Sequence, residues 1–232
     1  MSMNNGLKTF GKVLLGVLVI VVIIGGLLLL GKAQDKKAAD VQTANDITAE
    51  DHVTGKADSA VTLLEYSDFQ CPTCKSFSPI IDQLITDYGD RVRFVYRHFP
   101  IYSKHQNTEN AGRAAEAADK QGKFFTYGTV LFANQDEWAT LPDPADKFAE
   151  YAKNLGLNED QFRSDYKNGV SKARVTRDYN LGVSAGVQGT PTFFLDKTGI
   201  GLPQSYAAFA KLIDAELAKT AAPATDTSAE TK

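Results

Sequence analysis

The chain has only two cysteines, and they stand three positions apart in Cys71-Pro72-Thr73-Cys74. A disulfide framework scatters its cysteines, and a structural zinc site needs two further ligands. Proline is favoured at the first position of a helix, so Pro72 predicts Cys71 as the N-cap. Cys74 then falls about one turn later on nearly the same face. The two sulfurs can join there without moving the backbone, which suits a disulfide made and broken repeatedly. At a helix N-terminus the Cys71 sulfur meets unsatisfied amides and the positive end of the helix dipole, and both favour thiolate. Thiolate is the attacking species in thiol–disulfide exchange, and a stabilised thiolate also leaves easily. Cys74, further into the helix, is expected to be buried and to resolve mixed disulfides by attacking Cys71. Half of a zinc site is the competing reading. It is disfavoured because only His52, His98 and His105 remain as nitrogen ligands and none has paired ligand spacing, so neither a metal nor another cofactor is expected.

The flanking sequence supplies a setting for the pair. Val61-Thr62-Leu63-Leu64-Glu65-Tyr66 is β-branched and apolar, and Ser67-Asp68-Phe69-Gln70 leads from it into the cysteines. A strand, a short loop and a helix opening on C-x-x-C form the thioredoxin arrangement. Far downstream, Gly189-Thr190-Pro191-Thr192-Phe193-Phe194-Leu195 reads as a second apolar strand with a proline near its start. Proline donates no ladder hydrogen bond and is misplaced in a central strand. A cis Thr190–Pro191 bond beside a functional site accounts for it; an ordinary trans proline at a strand start is the alternative.

With C-P-x-C and a distant T-P together, the sequence resembles the DsbA-like thioredoxin-fold thiol oxidoreductases, especially their membrane-anchored extracytoplasmic members. The matching stretches are Asp51-His52-Val53-Thr54-Gly55, Val61 to Cys74, Gln121-Gly122-Lys123-Phe124-Phe125, and Gly189 to Phe194. The likeness runs from about Asp51 to near Thr220. It implies an α/β thioredoxin-like fold with Cys71 as exposed nucleophile, Cys74 as resolving thiol and Pro191 as a cis-proline packed against them. It also implies that Glu65 is a buried acid handling protons during exchange, and that Thr190 offers its backbone to an extended substrate chain. Glu65 has a plain competitor, an ordinary surface position on an alternating strand. His98 and His105 read as strand-end and surface residues without a catalytic part. Phe69, in the loop before the nucleophile, is expected to be partly exposed in an apolar patch that receives unfolded chains. Phe124, Phe125, Tyr127, Phe132 and Trp138 read as insertion core in preference to a substrate surface.

Pro72 and Thr73, between the cysteines, are the redox-tuning positions. Oxidants of the DsbA type often carry histidine before the second cysteine, whereas Thr73 offers only a hydroxyl. Oxidation, reduction and isomerisation use the same atoms, so the motif gives the reaction type more firmly than its direction.

Direction depends on compartment, and the N-terminus bears on that. Val13 to Gly31 carries no charge and as a helix spans about 28 Å, close to the roughly 30 Å bilayer core. It is longer than the apolar region of a cleaved signal peptide, so an uncleaved transmembrane helix is expected, although Gly31-Lys32-Ala33 puts small residues where a peptidase wants them. Lys8 and Lys12 precede the span while Lys32, Lys36 and Lys37 follow it, but long domains translocate largely regardless of charge. Residues 1–12 are therefore expected in the cytoplasm, 13–31 in the membrane, and 32–50 in a polar tether, with polar character persisting to about Ala60. The catalytic domain, 51–219, lies outside, where disulfides persist. Residues 220–232 lack large apolar groups and are expected to be disordered.

The domain is longer than a bare thioredoxin fold. A helix is expected from Pro72 to about Tyr88, interrupted at Pro79, then a strand from Arg91 to His98. Helical spacing follows in 106–120, 124–134, 146–155 and 170–185, a helical insertion over about 105–185. Asn158 and Ser205 are candidate caps, the latter of a final helix, Tyr206 to Lys219. A net charge of −3 without a basic stripe gives no reason to expect nucleic acid. The expected activity is a membrane-tethered oxidase of exported cysteine-containing proteins, re-oxidised by a membrane partner of the DsbB or VKOR type. A reductase or isomerase, or a tethered chaperone that binds without turnover, are the alternatives.

Overall fold

The computed structural model describes residues 44–221. The expected N-terminus, membrane span, most of the tether and the tail beyond residue 221 lie outside the described residues. Strands β1 (His52–Gly55), β2 (Val61–Ser67), β3 (Val92–His98), β4 (Thr192–Leu195) and β5 (Thr198–Gly199) form one sheet in the order β1-β3-β2-β4-β5. Only β2 and β3 run parallel; the other pairs are antiparallel. A parallel pair needs a crossover, which α1 (Pro72–Tyr88) provides. β2 is buried along nearly its whole length, as expected of a strand covered on both faces.

Alternation sorts the side chains between those faces. Leu63 and Phe94 pack with Phe77, Leu84 and Tyr88 of α1 and with Phe209 and Ile213 of α8 (Tyr206–Ala221). Leu64, Tyr66 and Val95 pack on the opposite face with Phe99, Ala185, Val187 and Phe194. Glu65 and Tyr96 share the phase of Leu63 and Phe94, so both fall on the face that carries α1.

Between β3 and β4 lie α2 (Thr108–Asp119), α3 (Phe124–Ala133), α4 (Gln135–Trp138), α5 (Ala145–Asn154), α6 (Glu159–Lys167) and α7 (Gly169–Ser184). This is the helical insertion the sequence predicts. The alanines of α2 allow close approach, and Phe124, Tyr127, Leu131, Trp138, Phe148 and Phe162 fill the space around them. The aromatic run is insertion core, with Phe125 half-buried at its margin. The Asn158 side chain accepts from Gln161 N at 2.9 Å, and Ser205 Oγ accepts from Ala208 N at 3.2 Å, so both expected caps form. Pro79 does lie inside α1.

The folded unit starts earlier than residue 51. Arg97 is fully buried and draws acceptors from the segment read as tether. Its guanidinium donates to Ala44 O at 2.6 Å and Asp46 O at 2.7 Å, and makes a two-pronged pair with Asp51 at 2.8 Å on each prong. A buried cation must be satisfied in this way, so 44–50 belong to the domain. The strand β1 that follows also went unread as a strand. Four residues ending on Gly55, at φ 76, carry little pattern.

Candidate active site

The helix α1 opens as the motif predicts. Cys71 is the N-cap in extended conformation (φ −74, ψ 123) and Pro72 occupies the first turn. Cys74 shares the buried face of α1 with Phe77, Leu84 and Tyr88. Pro72 and Thr73 are exposed. Both cysteines are free thiols, and neither stands open: Cys71 is 7% exposed and Cys74 1%. The expectation of an exposed nucleophile is thus corrected. Cys71 lies only marginally nearer solvent, because insertion helices pack around the helix start.

The environments of the two thiols push them apart. Hydrogen bonding from the Cys74 thiol lowers the Cys71 pKa to about 5, against the opposing effect of burial. The Thr190 side chain and the backbone amides of Cys74 and Thr73 add to the lowering. Burial raises the Cys74 pKa well above the usual cysteine value, reinforced by its bond to Cys71 and by the charge of Glu65. The result is a stable Cys71 thiolate beside a protonated Cys74.

The Thr190–Pro191 bond is cis, and Pro191 is buried. The Cys71 thiol, when protonated, donates to Thr190 O at 3.4 Å, which places the start of β4 against the nucleophile. Sequence positions 119 residues apart meet here, as expected from the C-P-x-C and T-P pair.

Glu65 is half-buried, not a surface residue. Burial raises its pKa to about 7, with the charges of Asp82 and Cys71 adding and the Ser67 hydroxyl opposing. It lines a cavity of about 60 Å³ with Phe69, Ser78, Asp82, Tyr96 and Thr129, room enough for water. The hydroxyls of Ser67 and Tyr96 are buried beside this carboxyl without hydrogen-bond partners among the described residues. A carboxyl poised near neutrality close to Cys74 can give or take the proton that exchange requires.

Phe69 does not form part of a substrate patch. It is 2% exposed, stacked on Tyr96 at 5.0 Å between ring centroids and in contact with Phe132, Phe124 and His98. Gly128 makes room for it, since a Cβ there would sit 3.1 Å from the ring. An apolar residue entering a helix start packs inward when an insertion covers the loop.

Sequence reasoning missed what holds that loop. Asp68 is buried. Its Oδ1 accepts from Gln70 N at 2.8 Å and Thr108 Oγ1 at 2.6 Å, and its Oδ2 from Ile101 N at 2.9 Å. His105 Nδ1 lies 2.7 Å from the same Oδ2. That bond raises the His105 pKa despite partial burial, and the charge on Cys71 acts in the same direction. From the insertion, Gln135 Nε2 donates to Phe69 O at 2.8 Å and Cys71 O at 3.2 Å. The position of Asp68, three residues before Cys71, was the available signal. Nothing in the local pattern marks Gln135.

A thioredoxin family model matches residues 48–215, and the chain belongs to that family. Its fold is that of DsbA-like proteins. It superposes on oxidised BdbD from Bacillus subtilis with a TM-score of 0.64 at 24% identity, covering 73% of this chain and 94% of that one. For alpha-DsbA1 from Wolbachia pipientis the TM-score is 0.69 at 21% identity, covering 77% and 96%. Among curated proteins, it is 39% identical over 146 residues to Na(+)/H(+) antiporter NhaA 3 of Salinispora tropica, covering 63% of this chain and 22% of the antiporter. It is 38% identical over 150 residues to Na(+)/H(+) antiporter NhaA 1 of Mycobacterium sp. strain KMS, covering 63% and 23%. The chain therefore spans under a quarter of the length of these relatives.

Proposed function

We propose that the chain is a thiol:disulfide oxidoreductase that introduces disulfides into exported cysteine-containing proteins. The observation carrying this reading is the opposite displacement of the two thiols, Cys71 down to about 5 and Cys74 up. A substrate thiolate attacks Cys71 Sγ of the oxidised pair. The Cys71–Cys74 bond breaks, and its electron pair leaves on Cys74, which takes a proton from Glu65. A second substrate thiolate attacks the substrate sulfur of the mixed disulfide, forming the substrate disulfide and expelling Cys71 as thiolate. Substrate has lost two electrons and two protons; Cys74 keeps one proton and the other passes to solvent. The stabilised Cys71 thiolate favours the reduced enzyme and hence the oxidising direction. Thr190 and Pro191, beside Cys71, are the positions at which an extended substrate chain would lie.

The uncharged run Val13–Gly31 supports a single-pass anchor with the catalytic domain outside, where a quinone-linked partner of the DsbB or VKOR type would re-oxidise the pair. Among the described residues, no helix is long and apolar enough to cross a membrane. The reading is tested by mixing the oxidised protein with a reduced, two-cysteine client and counting thiols, and by equilibrating it in glutathione buffers. Stoichiometric client oxidation and a potential above that of the glutathione pool are expected. A strongly negative potential makes the protein a reductase instead. Client binding that survives Cys71→Ser, with no thiols consumed by wild type, makes it a binding module.

A further inference from the structure

Three of the chain's buried polar groups meet away from the cysteines. His52 opens β1, His98 closes β3 and Glu116 lies within α2; their exposures are 4%, 2% and 4%. Glu116 Oε1 lies 2.5 Å from His52 Nε2 and 2.9 Å from His98 Nε2. Both imidazoles thus aim the same type of nitrogen at one carboxylate oxygen, and the three ligand atoms all lie within 4.8 Å of one another. Sequence spacing could not show this, because the three positions come from three separate elements.

We infer that His52, His98 and Glu116 form a binding site for a divalent transition-metal ion of the zinc class, distinct from the redox pair. The donor set is two imidazoles and a carboxylate, which suits zinc and its neighbours and not calcium or magnesium, which want oxygen. Three protein ligands with water in the fourth position is a common zinc arrangement. With bonds of about 2.0–2.1 Å, tetrahedral ligand atoms stand roughly 3.3 Å apart. The two present contacts must open by several tenths of an ångström, within the reach of side-chain rotation.

The surroundings fit as well. Asp119, one turn along α2 from Glu116, places Oδ1 3.4 Å from His52 Nδ1. A carboxylate holding the far nitrogen of a ligating histidine fixes the tautomer that presents Nε2 to the metal. The His52 ring is clamped by stacking on Phe124 at 3.5 Å, and Phe69, Tyr96 and Phe124 surround His98. Entry is through a surface cleft lined by Asp51, His52, Asp119, Phe125 and Arg174. An ion here would fasten β1 and β3 to the insertion, directly behind Phe69 and the active-site loop.

The test uses the full chain with Cys71 and Cys74 oxidised, so that thiols cannot ligate. Zinc is titrated by calorimetry, and cobalt is followed by the visible absorption of a four-coordinate ion. One ion per chain is expected, with loss of binding in His52→Gln and Glu116→Gln. Asp119→Asn, at a half-exposed position that leaves the fold intact, should weaken affinity about 10-fold. Circular dichroism reports folding of each variant. If His52→Gln or Glu116→Gln fails to fold, Asp119→Asn decides alone. Failure of folded wild type to bind either metal, or unchanged affinity in Asp119→Asn, would overturn the assignment and leave the cluster a proton-sharing ion pair.

Discussion

Glu65 and Tyr96 stand opposite each other in the parallel β2/β3 ladder, and the Tyr96 hydroxyl is buried with no partner among the described residues. Across from the carboxyl there is thus a phenol and no cation, and burial holds Glu65 near a pKa of 7. An acid whose folded pKa is raised favours the fold in its protonated form. That stability is fully present below the unfolded value of 4.5 and is lost as pH rises through about 7.

Glu65→Gln should therefore stabilise the reduced protein at pH 8 by up to about 3 kcal/mol and leave it nearly unchanged at pH 4, measured by urea unfolding. The same variant should slow the Cys74-dependent step on the order of 10²-fold, the usual size of a lost general acid–base group. Equal stability changes at both pH values would mean that Glu65 is ionised at ordinary cost.

The acidity of Cys71 gives a second expectation. Alkylation of Cys71 should follow a titration with midpoint near pH 5, and Cys74 should react slowly throughout. Below that midpoint two protons accompany two electrons on reduction, and above it only one does. The potential should fall by about 60 mV per pH unit below the midpoint and about 30 mV per unit above it. A slope that stays at the larger value to pH 8 would show that Cys71 remains a thiol.

Asp68 makes the loop testable. Asn at this position cannot accept from every donor that the carboxylate now satisfies, so Asp68→Asn should cost about 2–4 kcal/mol in both redox states. His105 loses the partner that raises its pKa. That part of the stability is present below about pH 6.5 and fades as pH rises through the raised folded value, so the cost should shrink at alkaline pH. The alkylation midpoint of Cys71 should rise a little as a neighbouring cation is lost. Denaturant unfolding at pH 6 and pH 9, with alkylation at each, separates these effects.

The parts of the site visible in the sequence are those fixed by local chemistry. Cys71-Pro72 announces a helix start, and Thr190-Pro191 a proline that a strand interior would reject. Periodicity found the insertion helices because each buries one face. What went unread depends on contacts distant in sequence. Phe69 looks exposable until Gly128 is seen to admit its ring. The segment from Ala44 looks like tether until Arg97 is seen to need its carbonyls. His52 and His98 lack ligand spacing because the sheet brings them together, not the chain.

Thr73 supplies the last test. It is exposed next to Cys74, and its backbone amide already supports the Cys71 sulfur. Thr73→His adds an imidazole near that sulfur without disturbing the core. The reduced protein gains a thiolate–imidazole interaction, while the neutral disulfide gains little from it. Stabilising the reduced form makes the disulfide a stronger oxidant. An interaction of about 1.4 kcal/mol should raise the potential by about 30 mV. The Cys71 titration should move further to acid in the same variant, since a nearby cation favours thiolate. Parallel equilibration of wild type and Thr73→His in glutathione buffers measures the difference. An unchanged or more negative potential in the folded variant would mean that Thr73 does not tune this pair.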